Sequence, residues 1–420
     1  MPRILVYSHD TYGLGNIRRM LAIATHLAGA VADASVLVIS GSPMLQGFRI
    51  APQVDYIKLP SVIRTEREGY ATRSLGVDTP DLFELRANLV LAAVADFKPD
   101  IILVDKKPFG IAHELEAAIC YARAQRPRAS LVLVLRDILD EPRATMHAWT
   151  SGGYTEAIER FYDRVLVLGT PEVFDVCTEY RLPPSVARKV RYCGYIRRPR
   201  STRDRDAVRR DLGVAPAGKL VLVTPGGGQD GDRIVQAYMD ALPIVHADAA
   251  ISSVIVTGPE MAARQRHAVA EAARLVPRVQ VCEFTDDMMA LMDASDLVVC
   301  MGGYNTICEV AALGKRAIVV PRVRPVEEQW IRSERLARLA VVRVEHPDSL
   351  RGERLAAGVL RELGAVAGPV GVLDLEALPR ITRHVSRLLG NRERVANPGA
   401  AVSTSIARAL AAAGAGHVRM

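Results

Sequence analysis

The chain has 420 residues, of which 49% are apolar and 24% charged, and its net charge is +7. This length can form two or three ordinary domains, and no run of about 18 uncharged apolar residues predicts a membrane-spanning helix. The segment "MPRILVYS" lacks the features of a secretory signal, so we expect a cytoplasmic protein. The six cysteines and nine histidines show no C-x-x-C or H-x-x-x-H spacing, which argues against structural disulfides and a zinc site.

The positive charge comes mostly from arginine and indicates first a solvated arginine-rich surface. Anionic substrates or an acidic membrane surface are the functional alternatives. Aromatic residues make up only 5% of the chain, and no basic run is interleaved with them, so nucleic acid is not an expected partner.

Short apolar runs such as "RILVYS", "PDIILVD", "KLVLVTP" and "SDLVVCMG" alternate with helical patterns along most of the chain. Such runs predict strands that are buried on both faces of parallel sheets with helical crossovers. Helices are expected at 17–28, 82–97, 111–124, 233–242 and 261–275. The fold class is α/β, with two Rossmann-like doubly wound domains that face a cleft.

A charged, proline-containing segment at 192–218 separates two series of strands. We therefore predict an N-terminal acceptor-binding domain at 1–195 and a C-terminal nucleotide-sugar-binding domain at 196–375. A helix at 376–392 is expected to close the structure by packing back on the N-terminal domain. The Ala/Gly-rich segment 393–420 is expected to be a loose tail.

The first strand is followed by "SHDTYGLGNIRR". Gly13 and Gly15 leave room for a ligand beside the backbone, and the next helix points its first amides at that space. The same spacing also serves merely to pack a helix against a strand. His9, Asp10 and Asn16 are the polar residues that favour a ligand site here.

The second series of strands opens with "TPGGGQDGD". Gly226, Gly227 and Gly228 form a pliable loop with free amides, which suits a phosphate. No G-K-[ST] follows, so the loop is not a P-loop and ATP hydrolysis is not implied.

The stretch "MGGYNTICEVAALGK" predicts a second anion site in this half. Gly303 precedes a helix that begins at Tyr304, Asn305 and Thr306, whose amides favour a phosphate. Glu309 lies about one and a half turns further on. From there it reaches the hydroxyls of a ribose, or it is an exposed helix residue.

The segment "CEFTDDMMA" carries a third loop. Phe284 and Thr285 are expected to end a strand and to offer their backbone to a nucleobase edge, while Asp286 or Asp287 caps the helix that begins at Met288. Loops that follow parallel strands gather at one sheet edge, where open α/β sheets bind ligands.

These motifs, and above all "FTDDMMALMDASDLVVCMGGYNTICEVAALGKRAIVVPRVRPVEEQW", resemble the MurG-like branch of the GT-B glycosyltransferases, glycosyltransferase family 28. The likeness is strongest over 219–340 and thinner at 3–29. It implies a donor domain that holds a UDP-sugar and an N-terminal domain that holds the acceptor.

The resemblance also implies roles for individual residues. It places Phe284, Thr285 and Met288 at the uracil, Gly303 to Thr306 at the diphosphate and Glu309 at the ribose. It further places Glu328 and Gln329 at the donor sugar's hydroxyls, and Gly226 to Gly228 over the phosphates.

One position departs from the family pattern. The N-terminal glycine loop of the family usually carries a histidine where this chain has Asn16, and asparagine cannot accept a proton from an alcohol. His9 is the nearest replacement as catalytic base. The alternative is that His9 only hydrogen-bonds the loop at the strand end.

The expected function is therefore transfer of a sugar, with inversion, from a UDP-sugar to an unknown acceptor hydroxyl. No metal ion or cofactor is expected, and peripheral contact with the inner membrane face is a further possibility. A nucleotide-sugar 2-epimerase is the first alternative. A non-catalytic sugar-nucleotide binder is the second, because of Asn16.

Overall fold

The computed structural model describes residues 1–9, 15–48, 50–65, 69–125, 128–247, 250–365 and 373–396. Two parallel sheets with helices around them account for most of these residues, as the alternating apolar runs predict. The first sheet contains residues up to Tyr192 and the second begins at Lys219. The boundaries proposed at 195 and 375 remain predictions.

The N-terminal sheet has seven parallel strands in the order β3-β2-β1-β6-β7-β8-β9. A separate antiparallel hairpin, β4-β5, lies within the segment 62–80. The strands of this half are β1 Arg3–Ser8, β2 Ser35–Ser40, β3 Val54–Lys58, β4 Val62–Arg64, β5 Tyr70–Thr72, β6 Ile101–Asp105, β7 Ser130–Arg136, β8 Arg164–Leu168 and β9 Val190–Tyr192. The order reverses between β1 and β6, so a crevice opens at the carboxyl ends of these two strands.

Helices cover this sheet because its central strands are apolar on both faces. Ile4, Leu5, Val6 and Tyr7 of β1 are all fully buried. The helices are α1 Gly15–Ala30, α2 Thr79–Phe97, α3 Glu116–Ala124, α4 Pro142–Ser151, α5 Tyr154–Phe161, α6 Val176–Glu179 and α7 Pro184–Ala187.

The C-terminal sheet repeats this plan with six parallel strands in the order β12-β11-β10-β13-β14-β15. The strands are β10 Lys219–Thr224, β11 Ile251–Val256, β12 Val279–Cys282, β13 Leu297–Cys300, β14 Arg316–Val319 and β15 Arg343–Val344. The order reverses between β10 and β13. The glycine motifs at 226–228 and 302–303 therefore follow the two strands that flank the crevice.

The helices of the C-terminal half are α8 Arg205–Asp211, α9 Asp232–Val245, α10 Ala263–Arg274, α11 Met288–Ala294, α12 Tyr304–Leu313, α13 Glu328–Arg338, α14 Gly352–Gly364 and α15 Ala377–Ala396. The last of them, α15, returns to the N-terminal half, where it packs on α1 and β6. Arg380 of α15 donates a hydrogen bond to the carbonyl of Cys193, at 2.9 Å.

Two local predictions were wrong. The helix expected at 111–124 is broken, because Ala112 and His113 adopt positive φ values of 45° and 63°; a 3₁₀ turn precedes α3, which begins only at Glu116. The apolar run "AAICYA" predicts that Cys120 is a small core residue, but Cys120 is exposed.

Candidate active site

The carboxyl ends of both sheets open into one cleft of about 2140 Å³. The cleft is lined by sixteen of the residues predicted from the sequence, namely His9, Gly15, Asn16, Gly226, Gly227, Gly228, Phe284, Thr285, Met288, Gly303, Tyr304, Asn305, Thr306, Glu309, Glu328 and Gln329. Gly13 and Asp10 lie outside the described residues. Residues 200 to 300 positions apart therefore meet at one place, although their roles in binding stay predictions.

The loop after β10 has glycines because its backbone is crowded. Gly228 has a φ of +98°, and a Cβ at this position would lie 2.4 Å from the carbonyl oxygen of Thr257. A Cβ at Gly227 would lie 2.8 Å from a carboxylate oxygen of Glu260. The loop thus packs closely on the next loop of the same sheet edge. Contact between this loop and a phosphate stays a prediction.

The loop after β13 turns sharply into α12. Gly302 has a φ of +75°, and a Cβ there would lie 2.6 Å from Cγ1 of Val319. Gly303 is the N-cap of α12, so the first amides of the helix face the cleft without intrahelical partners. The Asn305 side chain donates to the carbonyl of Gly15, at 3.1 Å. The positive ends of α1 and α12 therefore meet at the cleft, which favours an anion between them.

Glu309 is not an exposed helix residue. It is 1% exposed, and its Oε1 lies 2.7 Å from Nη2 of Arg18 on α1. The solvent-facing alternative is therefore wrong, because α12 turns this position toward the other half of the molecule. A ribose that binds to Glu309 would have to share its carboxylate with Arg18 or displace the Arg18 side chain.

The loop after β12 differs slightly from the prediction. The strand ends at Cys282, so Phe284 and Thr285 lie in the loop rather than at the strand end. Phe284 is 57% exposed at the rim of the cleft, where its ring is free to stack on a base. Asp287 is the helix cap, because its side chain accepts a hydrogen bond from the amide of Ala290 at 2.9 Å.

Glu328 is held by guanidinium groups from both halves. It is 5% exposed and pairs with Arg136 of β7 and with Arg332 of its own helix, the latter at 3.6 Å. Burial opposes its ionisation, but Arg136, Arg332 and Arg322 outweigh burial and lower the pKa of Glu328 to about 2. Its neighbour Gln329 accepts a hydrogen bond from the amide of Arg322 at 3.0 Å.

A second ion pair joins the halves just below this point. Arg332 donates to both carboxylate oxygens of Asp137, at 2.9 and 2.8 Å, and both residues are fully buried. The Tyr195 hydroxyl also donates to Asp137, at 3.0 Å. Both carboxylate oxygens of Asp137 are therefore engaged between the two halves, and the residue does not line the cleft.

His9 and Asn16 form part of the wall where β1 ends. The Asn16 amide donates to the carbonyl of His9 at 2.5 Å, while its oxygen accepts from Arg19 at 3.1 Å. Asn16 thus ties the start of α1 to the strand end through its amide nitrogen, while its oxygen bonds within α1. His9 is 1% exposed, and its pKa lies well below the usual range because of burial and of the nearby cations Lys106, Lys107, Arg86 and Arg136.

The sequence analysis missed Lys106 and Lys107. These residues follow β6 in the run "VDKKPFG", directly beside His9 at the end of β1, and both line the cleft. Two lysines that follow a buried strand become a usable signal once that strand is known to flank a reversal of strand order, because ligands bind there.

Among the described residues, no group of three or more His, Cys, Asp or Glu side chains has the arrangement of a metal site. Within the same residues, no helix has the length and apolar character needed to cross a membrane.

Comparison with known proteins identifies the C-terminal half. Residues 220–363 match the family model described as the glycosyltransferase family 28 C-terminal domain. The C-terminal domain belongs to glycosyltransferase family 28. The family 28 match includes the glycine loop after β10, all of α12 and the Glu328–Gln329 pair.

Relatives and solved structures extend this result. The chain is 32% identical to the UDP-N-acetylglucosamine–N-acetylmuramyl-(pentapeptide) pyrophosphoryl-undecaprenol N-acetylglucosamine transferase of Haemophilus ducreyi over 29% of this chain and 33% of that protein. The first curated relatives are matched over 33% to 63% of their own length. The crystal structure of Acinetobacter baumannii MurG has a TM-score of 0.58 at 14% identity and covers 92% of this chain and 100% of MurG.

A further structure shares the architecture. The UDP-GlcNAc 2-epimerase of Neisseria meningitidis, solved with UDP-GlcNAc bound, has a TM-score of 0.57 at 14% identity and covers 93% of this chain and 100% of that chain. At such identities these likenesses establish the fold. The predicted GT-B architecture of two facing parallel-sheet domains is confirmed.

Proposed function

We propose that the chain is a glycosyltransferase that moves a sugar, with inversion and without a metal ion, from a UDP-sugar to an acceptor hydroxyl. The observation that carries this proposal is that the two sheets share one cleft. In each sheet, the strands at which the order reverses have their carboxyl ends at this cleft. One wall is a family 28 domain, whose relatives and structural neighbours include proteins named for UDP-N-acetylglucosamine. The N-terminal half forms the other wall, and in this proposal it binds the acceptor.

In this proposal the donor lies along the C-terminal wall. The base stacks at Phe284 beside Thr285 and Met288, the ribose binds at Glu309, and Glu328 with Gln329 holds the sugar. The diphosphate lies between Gly226–Gly228 and the first turn of α12. Charge that develops on the departing diphosphate is stabilised by backbone amides and helix dipoles that are oriented before the reaction.

The carboxylates of the cleft favour transfer over epimerisation. An epimerase needs carboxylates that exchange protons with the sugar, whereas Glu328 and Glu309 of the cleft are each paired with arginine. For Glu328, the arginines outweigh burial and lower its pKa to about 2, which makes it a weak base. A non-catalytic binder stays the second alternative, since Asn16 replaces the family's histidine.

Calorimetric titration with UDP, ADP, GDP and UDP-N-acetylglucosamine tests the donor assignment first. We expect UDP and its sugar to bind and the purine nucleotides to bind at least tenfold more weakly. Incubation of the bound UDP-sugar with a panel of hydroxyl acceptors then separates the functions. A glycosylated product supports transfer, a 2-epimer formed without acceptor supports the epimerase, and binding without any product supports the non-catalytic alternative.

A further inference from the structure

The end of β6 carries an amine that suits the proton transfer of the proposed reaction. An acceptor hydroxyl must lose its proton when its oxygen attacks the sugar. Among the described residues that line the cleft, Glu328 and Glu309 are engaged by guanidinium groups, and so is Asp137, which is buried outside the lining. Asp230 is likewise paired with Arg322, at 3.1 Å.

Lys106 lies at the reversal point of the N-terminal sheet. It directly follows β6, next to the end of β1, and it lines the cleft. Its side chain is partly buried, and within the described part of the chain its ammonium group has neither a hydrogen bond nor an ion pair. Lys107 differs, because its ammonium donates to the hydroxyl of Tyr70 at 3.3 Å.

The backbone at Lys106 is held in an unusual conformation. Its φ is +69°, although a lysine gains nothing from the left-handed region. Two hydrogen bonds fix this turn: the amide of Lys106 donates to Val134 at 2.9 Å, and the amide of Lys107 donates to Asp105 at 2.8 Å. Non-glycine residues held in this way are concentrated at functional sites.

The charges around Lys106 are predominantly positive. Arg136 at the end of β7 and the adjacent Lys107 lower the pKa of Lys106. Glu328 of α13 and Asp105 of β6 raise it. Burial is the largest influence, and the balance lowers the pKa of Lys106 to about 7. His9 of β1 faces the same cations but is almost completely buried, so it is less accessible to a substrate.

We propose that Lys106 is the catalytic base of the transfer and takes the proton of the acceptor hydroxyl; this assignment rests on the proposed function. The acceptor oxygen attacks the anomeric carbon of the donor sugar and forms the new glycosidic bond. The bond from that carbon to the diphosphate oxygen breaks, and its electron pair leaves with UDP. The hydroxyl proton passes to the neutral amine of Lys106, which becomes an ammonium ion.

The first measurement does not require an acceptor. Trace labelling with acetic anhydride at a series of pH values, read by peptide mass spectrometry, reports the titration of each lysine in the whole protein. We expect Lys106 to titrate near neutral pH, and Lys98 serves as the reference lysine of the same experiment. Lys98 is a matched control, because it is exposed, lies outside the cleft lining and also has a positive φ, of 49°. Titration of Lys106 near pH 10 overturns the assignment.

The second measurement is the rate of UDP release from UDP-N-acetylglucosamine in the presence of the acceptor panel. Lys106→Met should lower kcat by about 10²- to 10⁴-fold, the usual contribution of a general base. UDP affinity should be unchanged, because the donor binds to the other wall. Lys98→Met should have no effect on either quantity.

The pH profile distinguishes proton transfer from a structural role. Lys106→Cys treated with bromoethylamine restores an amine of nearly the same length that is more acidic than lysine. We expect activity to return with the acidic limb of the kcat profile shifted to lower pH, while wild type treated in the same way keeps its limb. Recovery without that shift, or full activity in Lys106→Met, overturns the base assignment alone. A wild type that releases no UDP with any acceptor overturns the proposed function and the base with it.

Discussion

The two halves of the molecule have the same strand order but very different residues at the ends of their central strands. In the C-terminal half, β10 and β13 are followed by glycine loops, and the second of these leads into the first turn of α12. In the N-terminal half, His9 follows β1, Lys106 and Lys107 follow β6, and Arg136 ends β7. Backbone amides suit a diphosphate whose position is fixed, whereas side chains that titrate suit proton transfer. This difference supports the proposal that the C-terminal wall binds the donor and that the N-terminal wall activates the acceptor.

The largest expected effect comes from breaking the buried ion pair between the two halves. Asp137→Ala leaves Arg332 buried without its anion, which should cost about 3–5 kcal/mol of unfolding free energy. Denaturant unfolding monitored by circular dichroism measures this. Asp211→Ala is the control, because the Arg203–Asp211 pair is more than half exposed and should contribute no more than about 1 kcal/mol. Equal losses in the two variants would show that the buried pair does not hold the halves together.

The second prediction concerns the stability of the folded protein at acidic pH. The pKa of Glu328 is depressed in the folded state, so its stabilising effect is complete above the unfolded value of 4.5 and is lost as the pH falls toward about 2. The loss corresponds to about 3 kcal/mol over that window. Unfolding free energies of wild type and Glu328→Gln at pH 5 and pH 3 measure it. We expect the variant to lose less stability than wild type between the two pH values, and parallel losses would contradict the role of the arginines.

The third prediction concerns Glu309. Glu309→Ala should weaken UDP binding by about 1.5–3 kcal/mol, the usual contribution of a charged hydrogen bond. Because this change also leaves Arg18 without its partner, Arg18→Met and the double variant are needed to complete the cycle. An effect of Glu309→Ala that persists when Arg18 is already methionine belongs to the nucleotide. UDP affinity that stays unchanged in calorimetry would remove Glu309 from the donor site.

The smallest expected effect is that the protein becomes more compact when the UDP-sugar binds. A donor on one wall and an acceptor on the other require a cleft that closes, with hinges near 192–205 and 376–390. We expect the radius of gyration from small-angle scattering to decrease when a UDP-sugar is saturating. ADP serves as the control nucleotide. Scattering curves that superimpose in all conditions would mean that the unliganded cleft is already closed.

The sequence predicted the periodic part of the fold well, because buried parallel strands are continuous apolar runs. The end of α12 is local in the same way, because Gly314 follows the helix with a φ of 60°. Both features depend only on residues that are neighbours along the chain.

The environment of the site residues could not be predicted in the same way. Glu309 is buried because Arg18, 291 positions earlier, lies against it, and Asp137 is neutralised by Arg332, 195 positions later. Neither pair leaves a local pattern. Lys106 was missed for a different reason: a lysine at a strand end is ordinary until the sheet order shows that the strand flanks the reversal point.

Hydrogen–deuterium exchange of the whole protein, with and without UDP-N-acetylglucosamine, tests the division of labour between the two walls most directly. The account predicts that the ligand slows exchange at the loop 226–228, at 284–288 and over the first turns of α12. Exchange at the ends of β6 and β7, around Lys106 and Arg136, should change much less until an acceptor is present. Protection confined to the ends of β1, β6 and β7 would place the sugar nucleotide on the N-terminal wall and contradict the account.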